Sequence, residues 1–495
     1  MRLGPVLGFR GVTTGAGKST WNVSILAADA TPVPAVTVSG ATVSGPTGTG
    51  ATVSGPQVLG TADGATVWRW DVAVPQTAVT QAVAYRIGAF NATFTVPALL
   101  APLRHAFVSC NGFSSKKLAD TTADPFGLWR QMGTQHTAQA FHLLLMGGDQ
   151  VYADAVFDLP ALGDWSHLSR AQKVKMSWTA ARQQAVEKFY RKLYLTRWSQ
   201  PEIAAVLTSI PTLMMWDDHD IFDGWGSFDP DLQSCAVYQG IFAAARDAFR
   251  MFQLQCAPTE RVPGAVGRSD FSFCYEVNDT ALWAPDLRSN RNQDQVVAPA
   301  AWNDLYTRLM VITKKKHLLV LSSIPVVYPN FKAVEAVLGW MPGEQELEDD
   351  LKDHWRTASH QAERLRLIHR LLAWAQTNLT RVTILSGDVH VGACGVIESQ
   401  RTGQESVINQ LISTGVVHPP PQALVAYLLD KLLAGFVDEV DRGVTARMLP
   451  FPGTARRLRP SRNWLSLTGD SQSRLWAEWW FEGDRGSTTK VIHPA

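Results

Sequence analysis

The chain has little of several things that would quickly settle its class. Five cysteines (Cys110, Cys235, Cys256, Cys274 and Cys394) in 495 residues are few, odd in number and widely spaced. That excludes a disulfide framework, and no Cys-x-x-Cys pair points to a zinc ribbon or a dithiol. Charge imbalance is missing too, since 45 Lys+Arg against 44 Asp+Glu leave a net +1. A neutral total argues against general nucleic-acid affinity and against a polybasic membrane anchor. No uninterrupted apolar run reaches the roughly 20 residues of a membrane span. The closest approach, Ala423 to Val437, is broken by Asp430 and Lys431 and reads as a buried helix. Met1 to Arg10 shows no apolar run followed by a small-residue cleavage site, and no Arg-Arg pair. The expectation is a soluble, cytoplasmic chain with no membrane span and no nucleic-acid surface.

What is present is apolar. The AVILMFWYC set makes up 46% and charged residues 18%, which excludes disorder throughout. The length suggests two to three domains at about 150 residues each. Eighteen tryptophans are many, but their number alone assigns them no role.

The first hundred residues are rich in Val, Thr, Ala and Gly. Alternating runs such as Thr66 to Val72 and Ala82 to Ile87 read as half-buried strands. Ala-Thr-Val-Ser-Gly-Pro occurs at Ala41 and again at Ala51, a local duplication in a hairpin or loop. These residues predict a β-rich, sandwich-like domain over 1–100, with a catalytic domain over 101–495. From about His105, strand-like runs alternate with helical stretches. Ala106–Ser109, Leu143–Met146, Thr212–Trp216, Leu318–Leu321 and Val382–Ser386 are strand candidates. Arg182–Leu195, Gly240–Phe252 and Gln361–Asn378 read as helices, the last with Leu365, Ile368, Leu372 and Ala375 on one face. Such alternation predicts an α/β fold.

Gly15-Ala-Gly-Lys-Ser-Thr20 looks like a phosphate-binding loop. The motif requires Gly, four residues, then Gly-Lys-Ser/Thr, which places Val12 where a glycine is needed. No buried strand precedes it, so a glycine-rich loop is the reading and a nucleotide site the competitor.

Four strand candidates run into polar residues: Ser109-Cys110-Asn111, Gly147 to Asp154, Asp217-Asp218-His219-Asp220, and Gly387-Asp388-Val389-His390. In α/β sheets ligands bind beyond the carboxyl ends of strands. Asp, His, Tyr phenolate and thiolate together make a metal site, the last two favouring an oxidised transition metal over Mg²⁺. Asp388 and His390 are two apart, so an extended segment would turn both side chains the same way. Each fragment alone has an ordinary structural reading. The four together, in order, point to one centre.

These strings resemble the PhoD-like (alkaline phosphatase D) family of metallophosphatases. The resemblance rests on Ser109-Cys110, Gly148-Asp149-Gln-Val-Tyr152-Ala-Asp154, Trp216-Asp217-Asp218-His219-Asp220, Asp286-Leu-Arg288-Ser-Asn-Arg291 and Ser386-Gly-Asp388-Val-His390. It implies a four-layer αββα sandwich and hydrolysis of phosphomonoesters or phosphodiesters, a hydroxide on the metals attacking phosphorus. It implies Fe³⁺ and Ca²⁺ as cofactors. The implied ligands are Cys110, Asp149, Tyr152, Asp218, Asp388 and His390, with Asp217 and Asp220 as lesser candidates. His219 is the implied catalytic histidine. Arg288, then Arg291, are candidates to grip phosphate, against a structural ion pair with Asp286. The competing function is a non-catalytic phospho-ligand-binding protein with a structural metal site. Thr454 to Trp464, with four arginines, reads as a solvated strand and His418-Pro-Pro-Pro421 as a rigid turn. Residues 158–173 and 340–353 are loops that would shape the pocket.

Overall fold

The computed structural model describes residues 2–15, 17–29, 36–39, 50–328, 355, 359–401 and 406–495. Ten strands form the first sheet. In spatial order they are β22 (Ser487–Ile492), β21 (Leu475–Phe481), β20 (Asn463–Gly469), β8 (Arg104–Val108), β9 (Leu143–Gly147), β10 (Thr212–Met215), β1 (Leu3–Gly15), β2 (Lys18–Asp29), β5 (Ala65–Pro75) and β4 (Thr52–Ala62). The second runs β11 (Phe273–Val277), β12 (Thr280–Ala284), β13 (His317–Leu321), β14 (Arg381–Ser386), β16 (Ser406–Ile412), β15 (Gly392–Ser399), β18 (Val444–Leu449) and β17 (Asp438–Asp441), with β19 (Leu458–Arg459) beside β15. A small sheet joins β3 (Val36–Ser39), β6 (Gln81–Ile87) and β7 (Phe90–Val96).

The central strands are parallel. β8 pairs with β9, β9 with β10, and β10 with β1 in that sense, as do β12, β13, β14 and β16 in the second sheet. Parallel strands are covered on both faces, which is why Leu143–Gly147 and Arg104–Val108 are buried along their whole length. The second sheet divides its side chains by parity. Leu319 and Leu321 of β13, with Leu385 and Leu411, belong to the same core as Leu144, Leu145 and Phe107 of the first sheet. Leu318 and Val320, with Val382 and Ile384, belong to a second core with Trp302, Leu305, Leu367 and Leu371 of the helices Pro299–Val311 and Gln361–Asn378. Alternate residues of one strand therefore serve two cores. The mixed α/β reading holds.

The helices lie close to their predicted places, at Ala180–Trp198, Ala236–Phe252 and Gln361–Asn378. In the last, Leu365 is only half-buried. The inward face is turned slightly and carries Arg364, Leu367, Ile368, Leu371, Leu372, Trp374 and Ala375. Ala423–Leu433 is a surface helix, burying Val425, Leu429 and Leu433 while exposing Leu424, Tyr427 and Leu432. Among the described residues, no helix is long and apolar enough to cross a membrane. Tryptophan supplies core volume: Trp21, Trp129, Trp198, Trp216, Trp283, Trp302, Trp355, Trp464 and Trp479 are fully buried.

The first hundred residues are β-rich, but composition and architecture do not change together at residue 100. β1, β2, β4 and β5 extend the first sheet, and β1 joins it through β10 at Gly8 and Thr212. Gly15 and Lys18 pair at the exposed end of the β1–β2 hairpin. A largely buried strand, β1, does precede the loop, contrary to expectation, but a strand rather than a helix follows it, so the described residues form no phosphate cradle. The Ala51 copy of the short repeat enters β4, and the Ala41 copy lies outside the described residues.

Leu321 is fully buried between the sheets. Leu321→Ala should lower unfolding free energy by about 2–5 kcal/mol, read by urea denaturation.

Candidate metal centre

Three neighbouring parallel strands, β8, β9 and β10, end on one edge, and their following loops are stitched together. Cys110 N–H donates to the Gly148 carbonyl (3.2 Å) and Asn111 N–H to the Asp149 carbonyl (2.8 Å). The loop after β14 is tied in through Gly387, whose N–H donates to the Ser323 carbonyl at 3.0 Å. A Cβ at Gly387 would lie 2.6 Å from Ser109 Cβ, so only glycine permits the approach. Cys110, Asp149, Asp388 and His390 take left-handed φ values of 55°, 56°, 72° and 53°. Non-glycine residues adopt this region at a cost and gather in it at functional sites. Asp388 and His390 therefore do not sit on an extended segment, as their spacing suggested. They stand on successive left-handed turns, with Val389 buried in the second core between them.

Asp149, Asp217 and Asp218 each bring a carboxylate oxygen within 4.8 Å of the others, all three buried. Asp149 Oδ1 and Asp217 Oδ2 are buried with no hydrogen-bond partner among the described residues. Burial, and then the Asp217 charge, push the Asp149 carboxyl well above its usual range. Asp217 is pushed up to about 8, by burial first, against the lowering pull of Arg288. A cation is the natural partner for oxygens in this state. The donor set fits one: hard carboxylates beside a thiol, a phenol and an imidazole.

Arg288 lies beneath these carboxylates, fully buried. Its Nε donates to Asp217 Oδ1, Nη2 to Asp218 Oδ1 (3.2 Å) and Nη1 to the Trp225 carbonyl (3.1 Å). The ion pair weighed against phosphate binding exists, but with Asp217 and Asp218. Asp286 instead accepts the Arg288 backbone N–H (3.0 Å), the Trp216 indole (2.9 Å) and the Phe271 N–H (2.9 Å). Arg291 is buried against Gly226, where a Cβ would lie 2.6 Å from Arg291 Cγ. Asp220 is a tie between loops. Its Oδ1 accepts from Gln150 N–H (3.0 Å), Val151 N–H (3.2 Å) and Gln253 Nε2 (2.9 Å), and its Oδ2 from Asp217 N–H (2.9 Å).

Cys110 Sγ sits 3.4 Å from Asp149 Oδ2 and 2.7 Å from Thr414 Oγ1. Burial, then the Asp149 charge, push its thiol well up. Tyr152 OH is 3.3 Å from His390 Nε2. The Tyr152 ring stacks on His219 at 4.2 Å and on His418 at 5.4 Å, and His418 stacks on His390 at 3.8 Å. His219 Nδ1 meets Asp154 Oδ2 at 2.9 Å. Burial would lower the His219 pKa, but Asp154, Asp218 and Asp223 together outweigh it and the net shift is upward. Asp223, whose N–H also goes to Asp154 (2.8 Å), forms a second close group with Asp218 and His219.

Three of these residues escaped sequence reasoning. His418 was hidden in what reads as a proline turn, though a histidine before Pro-Pro-Pro was the available signal. Asp154 closes the Gly-Asp-Gln-Val-Tyr-Ala-Asp string and was quoted without a role. Thr414 carried no signal. Other expectations move away from the site. Arg459 pairs with Asp484 (2.7 Å), and buried Arg462 donates to Glu482 (2.9 Å) and the Pro125 carbonyl (3.0 Å). Thr454 to Trp464 is therefore partly structural rather than a free basic strand. Residues 158–173 contain short helical turns, with Arg170 and Lys173 lining a cleft beside Asp223 and Gly224. Residues 340–353 lie outside the described residues.

The family described as PhoD related phosphatase matches this chain over residues 74–342 and 337–444. The chain belongs to the PhoD-related phosphatase family. A curated relative, Uncharacterized protein YGR266W of Saccharomyces cerevisiae, is 24% identical over 455 residues, covering 74% of this chain and 65% of that protein. The chain thus spans a little under two thirds of that relative's length. Among solved structures, a structure of PhoD matches with TM-score 0.58 and 13% identity, covering 99% of this chain and 90% of that one. A purple acid phosphatase from yellow lupin (Lupinus luteus) seeds matches with TM-score 0.50 and 12% identity, covering 99% and 74%. Both likenesses are of fold. The carboxylate cluster of this PhoD-related chain stands within the region the family covers, since Asp149, Asp217 and Asp218 all fall in 74–342.

Gly112 gives Tyr152 its place, because a Cβ there would lie 2.9 Å from Tyr152 Cγ. Gly112→Ala should displace the Tyr152 ring from His219 and His390. Tyrosine fluorescence and a crystal structure of the variant would check this, with an unmoved ring as the contrary result.

Proposed function

We propose that this chain is a metal-dependent hydrolase of small phosphomonoesters or phosphodiesters. The observation that carries the reading is the pair of buried, unpartnered oxygens on Asp149 and Asp217, set among Cys110, Tyr152, Asp218, Asp388 and His390. Family membership supports it. The fold we infer is the four-layer αββα sandwich, since one core lies between the sheets and another between the second sheet and its helices. We also infer the working division at about residue 100 between a β-rich leading segment and the catalytic region.

Cys110, Asp149, Tyr152 and His390 would hold Fe³⁺, because thiolate, phenolate and imidazole suit an oxidised transition metal. Asp218 and Asp388, with shared Asp149, would hold Ca²⁺ through hard oxygens. Such ions supply charge neutralisation at the phosphoryl oxygens and acidify water. Asp217 is a further candidate ligand. Asp220 acts through the loops it ties together. His219 is held by Asp154 through Nδ1, which leaves Nε2 as the atom to give a proton to the leaving oxygen. Arg288 acts as a positioning residue, spending its fork on Asp217 and Asp218 to fix both carboxylates. Phosphate would be gripped by other groups.

The test is hydrolysis of a chromogenic phosphoester by the full chain loaded with iron and calcium. Asp149→Asn should abolish turnover while the protein stays folded, and undiminished turnover would overturn the mechanism. With Fe³⁺ bound, a phenolate ligand gives a visible charge-transfer band. Tyr152→Phe should remove that band, and a band that persists would take Tyr152 off the metal.

A further inference from the structure

A cleft of about 550 Å³ opens between the helix Ala236–Phe252 and residues 258–271. That volume is within the range of small-molecule sites. None of the proposed metal ligands lines it. Asp286 is its nearest link to the carboxylate centre, accepting from Phe271 and Ser289 of the cleft wall and from Arg288 of the centre.

Four guanidinium groups line this cleft: Arg246, Arg250, Arg261 and Arg268. Three acids also line it, and two of them are already neutralised. Glu260 pairs with Arg10 (2.9 Å) and Arg69 (2.6 Å), and Asp247 faces Arg246 at 3.5 Å. Arg250 Nη2 donates to the Ala257 (2.9 Å) and Glu260 (2.6 Å) carbonyls, while its Nε is buried with no hydrogen-bond partner among the described residues. Arg261 reaches the Ala265 carbonyl at 3.4 Å. Arg268 makes no hydrogen bond or ion pair among the described residues. Asp270 is thus the one lining acid left against Arg250, Arg261 and Arg268, and its Oδ1 accepts the Ser272 N–H at 3.0 Å. Phe242 and Phe271 add aromatic surface, with Arg250 lying 5.8 Å from the Phe271 ring centre.

We propose that this cleft binds a multiply charged organic anion carrying a flat ring, of the nucleoside diphosphate class. Guanidinium forks match phosphate oxygens in pairs, and three forks against one carboxylate leave charge for two phosphates. The parts of Phe242 and Phe271 that line the cleft give the ring an apolar wall beside the guanidinium groups, Phe242 itself stacking on Trp225 at 4.7 Å. The volume exceeds what a bare phosphate would fill. The inference does not rest on the metal chemistry proposed above.

The test is calorimetric titration of the full chain at low salt with three probes: the methylene analogue of ADP, methylenediphosphonate and adenosine. The analogue should bind at one site, the diphosphonate about tenfold more weakly, and adenosine not measurably. Arg261→Ser combined with Arg268→Ser should weaken the analogue by at least about tenfold. Both side chains are exposed, so the thermal midpoint of that variant should match the parent. Asp149→Asn should leave the analogue's affinity unchanged. Absence of binding by the analogue, equal affinity in the double variant, or adenosine binding as tightly as the analogue would each overturn the proposal. Loss of binding in Asp149→Asn would assign the anion to the carboxylate centre and overturn it equally.

Discussion

Buried carboxylates repel one another, and the arrangement of this molecule's working end follows from how that repulsion is managed. Asp149, Asp217 and Asp218 share one place in the interior. Water is not there to screen them, so each charge feels its neighbours strongly. The chain answers from below with Arg288, which touches Asp217 and Asp218. It leaves two oxygens unanswered on the upper side. The scaffold around the cluster exists to keep that imbalance in position. Asp220 fastens the loop after β9 to the loop after β10, and Asp286 holds the backbone from which Arg288 rises.

The same logic explains why ordinary secondary structure stops where it does. Parallel strands β8, β9 and β10 are buried along their length, and the residues next to the site, such as Phe107, Val108, Met146 and Met215, are apolar. β8 and β9 give way within two residues to left-handed positions, and β10 runs through extended Asp217 into a short helical turn at Asp218–Asp220. Left-handed Cys110, Asp149, Asp388 and His390 turn their side chains away from the directions a continuing strand would give them. Four of the eleven left-handed non-glycine residues among those described thus meet at the centre, and the tryptophan-rich cores help to offset their cost.

Much of this was legible in the sequence because it is local. Apolar runs such as Leu143–Met146 have the length of buried strands, and the polar strings that follow them mark their ends. The candidate ligands could be picked out for the same reason, since each stands two to five residues past a strand. What was not legible is what depends on pairing across the chain. No local signal says that β1 lies beside β10, so the continuity of the first sheet across residue 100 could not be read. Nor does spacing reveal left-handed turns, and the two-residue interval between Asp388 and His390 was read as extended. Arg288 looked like a phosphate grip because its string gave its type and not its burial. His418 was missed because proline neighbours spoke louder than its ring.

The order of the first sheet has a consequence for biosynthesis. Its parallel centre, β8 to β10, is flanked on one side by β1, β2, β5 and β4 and on the other by β20, β21 and β22, which follow every other strand of that sheet in the chain. While the chain is still growing, β8 has no neighbour on that side. An unpaired edge of buried, apolar strand is the kind of surface on which chains stick together. β20 to β22 thus cover an edge that stays open until they are made, and a chain stopping short of β20 would carry the whole carboxylate cluster on an open sheet.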